Sequence, residues 1–128
     1  MRYAHCEIQE EFDSKNLIKD AQGVRAVGVD LEDSLPGLYW LNYFGRPYVQ
    51  MIGKQKLLAA AAYEVHDLKD GVLIKLSSTP FEWQGEAYQS SEQLITKHIG
   101  TEFFFSKTDL TRNTIAPDFR GELKSRAK

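Results

Sequence analysis

The sequence predicts an α+β domain built on a mostly antiparallel sheet. Three observations carry this reading. Residues Tyr63–Ser77 read as two alternating runs around Asp70-Gly71, a strong hairpin signal. Leu38–Phe44 carries aromatic and aliphatic residues at both parities, as a central strand covered on both sides does. Glu86–Ile99 has the period of an amphipathic helix.

The elements follow in order. Tyr3–Ile8 reads as a first strand, and Cys6 as a half-buried thiol within it. Ser14–Ala21 reads as a short helix capped by Ser14, with Leu17, Ile18 and Ala21 on one face and Gly23 as its stop. Val24–Leu31 alternates weakly and reads as a strand, before a turn at Ser34-Leu35-Pro36-Gly37. The Leu38–Phe44 strand follows, with Trp40 expected in the core. Gly45 breaks it. Pro47 suits the first turn of a helix over Tyr48–Ile52, because its missing N–H is not needed there, and Gly53 suits its end. Lys54–Ala61 is a second helical piece by propensity.

In the hairpin, a two-residue Asp70-Gly71 turn pairs Leu68 with Leu73, Asp67 with Ile74, His66 with Lys75 and Val65 with Leu76. Tyr63, Val65, Val72, Ile74 and Leu76 then share the core face, with Asp67 and Lys69 near the turn. Glu64, His66 and Lys75 share the other face. On the late helix, Tyr88, Leu94, Ile95 and Ile99 face inward. Lys97 and His98 suit the negative end of the helix dipole, and Gly100 suits the cap. Phe103–Phe105 reads as a short strand or edge. Residues 1–119 form one domain with two or three helices, and 120–128 a disordered basic tail.

The chain has 128 residues, 42% apolar and 27% charged, which is ordinary for a globular domain and enough to bury a core without staples. Its formal charge of −2 argues against a nucleic-acid binder. Charge is uneven: residues 1–33 hold eight acids and four bases, whereas 119–128 hold four bases and one acid. One cysteine fits a reducing compartment, and no signal peptide or membrane span is visible. The chain is therefore expected in the cytoplasm, with no membrane partner.

No motif for nucleophilic, phosphate or dinucleotide chemistry occurs. His5, His66 and His98 lie on different elements, and no metal-ligand spacing joins them, so no metal or cofactor is expected. His66 with Glu64 and Asp67 reads as a solvated cross-strand group rather than an acid–base centre. Asp30, Glu32 and Asp33 form an acidic cluster without calcium-loop spacing. It reads as a solvated turn or as a patch that meets a basic partner. Trp83, in the loop after Pro80, is either a plug over the core or an interface anchor.

The stretch Leu35-Pro36-Gly37-Leu38-Tyr39-Trp40-Leu41-Asn42-Tyr43-Phe44-Gly45-Arg46-Pro47-Tyr48 resembles the type VI immunity family of bacterial polymorphic-toxin systems, in its Pro-Gly, Trp-Leu and Phe-Gly spacing. The later helix, hairpin, Pro80 and Ala116-Pro117-Asp118-Phe119 extend the resemblance over roughly residues 24–119, as a compact or partial member. The matching residues Pro36, Gly37, Trp40 and Gly45 are structural. The resemblance implies a non-enzymatic immunity protein, antitoxin-like, that binds and neutralises a cognate protein toxin. By charge and loop position, its contact residues would be Glu10, Glu11, Asp13, Asp30, Glu32, Asp33, Glu82 and Trp83. A homodimeric structural module, or a small enzyme, would leave the same sequence features.

Overall fold

A computed structural model describes residues 2–106 and 113–117. The fold is α+β, as the sequence predicts. In chain order it comprises β1 (Tyr3–Cys6), α1 (Gln9–Asn16), β2 (Leu17–Asp20), β3 (Gly23–Ala26), β4 (Leu41–Gly45), α2 (Arg46–Ile52) and α3 (Lys54–Leu58). β5 (Glu64–Leu68), β6 (Gly71–Lys75), a 3-10 turn at Pro80–Glu82, α4 (Glu86–Ile99) and a second 3-10 turn at Thr101–Phe103 complete it. Four strands form one antiparallel sheet in the order β1-β4-β6-β5, and β2 and β3 form a separate hairpin.

The registers put Tyr3, His5, Asn42, Phe44, Val65, Val72 and Ile74 on one face of the large sheet. That face carries the core: Phe44, Val72 and Ile74 pack with Tyr48, Leu57, Tyr88, Ile95 and Ile99 from the helices and with Leu35, Leu38 and Phe104 from the connections. The opposite face, through Leu41, Tyr43 and Leu73, is only half-buried. The central strand is therefore covered fully on one side, not on both.

That strand also begins later than its hydrophobicity suggests. Asn42 is fully buried, and its side chain binds the backbone on both sides. Its Oδ1 accepts from Tyr39 N–H at 2.8 Å, and its Nδ2 donates to Tyr39 O at 2.8 Å and Ile74 O at 3.2 Å. This ties 39–42 into a turn and rotates the two aromatics out of strand alternation. Tyr39 is buried instead of Trp40. Trp40 is half-buried, with its indole N–H on Ser77 O at 2.8 Å and Lys75 Nζ 5.3 Å from its ring.

The hairpin differs in register. Leu68 pairs with Gly71, Asp67 with Val72, His66 with Leu73, Val65 with Ile74 and Glu64 with Lys75. The turn is thus Lys69-Asp70, and Gly71 lies in the strand. A Cβ on Gly71 would sit 2.5 Å from Phe44 O and 2.6 Å from the Tyr43 ring, so the glycine is required by close approach rather than by turn geometry. A shift of two residues preserves the faces, and Val72, Ile74 and Leu76 are buried as expected. Tyr63 is the exception at 57% exposed.

The N-terminal part departs furthest from the sequence reading. The helix lies before Leu17, not around it, and runs into β2 without a loop. Val27 N–H donates to Asn16 O at 2.7 Å, in phase with the 18–25 and 20–23 pairs of the β2–β3 hairpin. All four residues of β3 are exposed, and the chain beyond it is a turn rather than a strand. On the C-terminal side, α2 takes Pro47 in its first turn, Gly53 ends it at φ 108°, and α4 matches its predicted limits. Leu94 is 64% exposed, on the flank of α4 rather than its inner side. Phe103 lies in the second 3-10 turn, and Phe104 makes a single parallel bridge to Leu35. The expected 120–128 tail lies outside the described residues.

Candidate functional site

α1 docks through polar residues, which is why its inner face has no apolar period. Glu11 and Asn16 are both fully buried. Lys15, one turn after Glu11, places Nζ 2.6 Å from Glu11 Oε2, 3.0 Å from Glu92 Oε1 on α4 and 2.6 Å from Leu38 O. Its ammonium also lies 5.1 Å from the Tyr39 ring and 5.8 Å from the Tyr88 ring. Tyr88, from the first turn of α4, donates its hydroxyl to Glu11 at 2.8 Å and 3.1 Å from the two carboxylate oxygens. The Tyr39 hydroxyl donates to Asn16 Oδ1, and Asn16 Nδ2 donates to Val27 O at 2.9 Å and Pro36 O at 3.1 Å. The His5 ring stacks on Tyr39 at 4.2 Å, and its Nδ1 contacts Glu7 Oε2 at 2.6 Å.

The electrostatics follow from burial. Desolvation pushes the Tyr88 hydroxyl far above the ordinary tyrosine range, and the neighbouring Glu11 carboxylate pushes it further. Tyr39 is raised in the same way, by burial first and then by Glu7 and Glu11. Burial also raises Glu92, against the opposing pull of Lys15. Each tyrosine therefore stays a neutral donor, and one lysine holds two carboxylates.

Lys15 and Asn16 are saturated in this network. An ammonium has three N–H bonds, and Glu11, Glu92 and Leu38 O account for all three. Asn16 uses its acceptor and both donors. The arrangement clamps α1, α4 and the Pro36–Tyr39 segment together, and leaves Lys15 no N–H to offer a substrate. Sequence reasoning missed it because Glu11 and Tyr88 are 77 positions apart. The Glu11/Lys15 spacing of four was its one local trace.

The eight acidic and aromatic candidates separate. Glu11 is removed from the surface set, since it is fully buried and paired. Trp83 packs partly buried against the core and so acts as a plug; Phe81, two residues earlier, is the exposed aromatic at 75%. Asp13 is half-buried and accepts from Gln9 Nε2 at 2.7 Å. Glu10 and Glu82 are exposed on different elements. Asp30, Glu32 and Asp33 remain together.

Those three occupy one braced turn. Asp30 Oδ1 accepts from Glu32 N–H at 3.0 Å, and Asp30 O accepts from Asp33 N–H at 3.1 Å and Ser34 N–H at 3.3 Å. Thr114 Oγ1 donates to Asp33 O at 2.7 Å. The next residue is fixed as well: Leu35 N–H donates to Phe103 O, and Phe105 N–H to Leu35 O, both at 2.8 Å. Upstream, the Phe105 ring lies against Gly28, at φ 71°, where a Cβ would fall 2.2 Å from it. All three acids are exposed, and among the described residues no cation pairs with them. Exposed Val29 (44%) precedes the turn.

The histidines remain apart. His66 Nε2 meets Glu64 Oε2 at 3.1 Å on the solvent edge, and His98 Nε2 donates to Lys56 O at 2.7 Å. The His66 hydrogen bond, followed by the Lys75 charge, lowers Glu64 below the usual carboxylate range. Cys6 is exposed rather than half-buried. Among the described residues no three His, Cys, Asp or Glu side chains converge as metal ligands, and no helix is long and apolar enough to cross a membrane. No protein-family model, curated protein or solved structure matches the chain.

Proposed function

We propose that this chain is a non-catalytic immunity protein that binds a basic protein toxin and neutralises it. The observation that supports this reading most is the 30–33 turn. It presents three exposed carboxylates, none ion-paired among the described residues, and is held by hydrogen bonds from Glu32, Asp33, Ser34 and Thr114. A rigid acidic surface costs little ordering entropy on binding and steers a basic partner into contact. A nuclease-like cleft is basic, and an acidic turn is what would occupy it. The Glu11–Lys15–Tyr88 network fits the same reading, because it holds the scaffold rather than a reacting group.

The test has two stages. The tagged protein is used to capture partners from a lysate of its source cells. The captured protein is then expressed alone and together with this chain. One basic protein, toxic alone and harmless in the pair, is expected. The double variant Glu32→Lys/Asp33→Lys should keep the wild-type unfolding midpoint yet lose capture and protection, with association slowed about tenfold or more. A captured protein that is harmless by itself, or a double variant that protects as well as the wild type, overturns the proposal.

A further inference from the structure

A second surface lies at the N-terminal end of α4, over the edge of the core at Leu76 and Tyr88. An open cleft of about 590 Å³ runs between the end of the β5–β6 hairpin and the Pro80–Ala87 segment. That is the volume of a small-ligand site, and a single long side chain would fill part of it. Tyr63 and Phe81 line it, and they are among the most exposed large apolar residues described, at 57% and 75%. Glu82 and Glu86 line it too. Both are exposed, and neither has a cation partner among the described residues; Glu82 accepts only a 3.4 Å hydrogen bond from Ser78 Oγ.

The sign of the ligand follows from the charges. The first turn of α4 contributes a positive end worth about half an elementary charge. Two carboxylates outweigh it. No lysine or arginine lines the cleft; Lys75 Nζ lies over the Tyr63 ring at 5.8 Å and over the Trp40 ring at 5.3 Å, and its strand partner is Glu64. The cleft is therefore electronegative, and of its three aromatic residues Tyr63 and Phe81 are exposed, with ring faces that are themselves electronegative. An anion would meet two unpaired carboxylates, and a neutral apolar group would leave both without a partner.

We infer that this cleft is a binding site for an arginine or lysine side chain presented by a protein partner, its stem against Tyr63 and Phe81 and its cationic head at Glu82 and Glu86. The site does not depend on the acidic 30–33 turn. It differs from that turn in being concave and aromatic.

N-acetyl-arginine amide is the probe, with N-acetyl-citrulline amide as its neutral isostere and inorganic phosphate as the anion, each titrated into the whole protein by NMR. The arginine probe should give saturable shifts at the Tyr63 and Phe81 rings and the Glu86 amide, with a Kd of about 1–10 mM. Citrulline amide and phosphate should not. Phe81→Ala should weaken binding about three- to fivefold, and Glu82→Gln/Glu86→Gln by a similar factor that shrinks in high salt. Phe81 is too exposed for its removal to unfold the chain. Equal shifts from citrulline amide, preferential shifts from phosphate, arginine shifts that map elsewhere, or no saturable shift at all would each overturn the inference.

Discussion

Replacing Tyr88 by phenylalanine removes one oxygen from the core and leaves the ring in place. No cavity larger than a hydroxyl forms, so the cost reports the hydrogen bond to Glu11. That hydroxyl sits 2.8 Å and 3.1 Å from the two oxygens of a fully buried carboxylate. A hydrogen bond to an ionised group contributes about 1.5–3 kcal/mol; Glu11 Oε2 keeps Lys15, but the buried Oε1 loses Tyr88, which puts the cost near the upper end because water cannot replace the donor. Tyr88→Phe should therefore lose about 2–3 kcal/mol. With a urea slope of about 1–3 kcal/mol/M, the unfolding midpoint falls by about 0.7–3 M at unchanged slope. Glu11→Gln weakens the same bond from the other side, because its amide oxygen is a neutral acceptor, and also weakens the hold on Lys15. The double variant should then cost less than the sum of the two by about 1–2 kcal/mol. Urea unfolding followed by far-UV circular dichroism measures all three. A Tyr88→Phe loss below about 0.5 kcal/mol, the scale of an ordinary surface substitution, would refute the claim that Glu11 depends on Tyr88.

Two further outcomes are expected. Gly71→Ala drives a methyl into Phe44 O and the Tyr43 ring, and should cost about 1–3 kcal/mol in the same assay; a neutral result would return Gly71 to the turn. Burial holds the Glu92 carboxyl above its ordinary range. The native state therefore binds that proton more tightly than the unfolded chain does, and stability is lost as pH rises from the ordinary glutamate range through the raised value. Glu92→Gln should gain on the wild type across that window and run parallel to it at lower pH, as read from urea midpoints at a series of pH values.

Much of the fold was legible where local chemistry and burial agree. The α4 limits followed from an apolar period ended by Gly100, and α2 followed from Pro47 and Gly53. The hairpin faces were legible because a shift of two residues leaves side-chain parity intact. The register was not, because Asp70-Gly71 is a turn signal that the close approach of Phe44 and Tyr43 overrides. Trp40, expected in the core, is only half-buried because a buried Asn42 bends the entry to β4, a tertiary effect that hydrophobicity does not encode. Leu17 and Ile18, read as one helical face, lie in a strand instead. The acidic turn was visible as composition, but its bracing by Thr114 lies some eighty positions along the chain.

The same long-range pairing has a consequence for synthesis on the ribosome. Glu11 emerges first, and its donor Tyr88 follows 77 residues later. At roughly 5–20 residues per second that interval is about 4–15 s. During it, α1 has neither the hydroxyl that binds its carboxylate nor the Glu92 that completes the shell of Lys15. β1 waits as well, until β4 is made. The nascent β1–α1 segment is thus charged and weakly apolar, and its buried carboxylate and its lysine gain their Tyr88 and Glu92 partners only once α4 has been made.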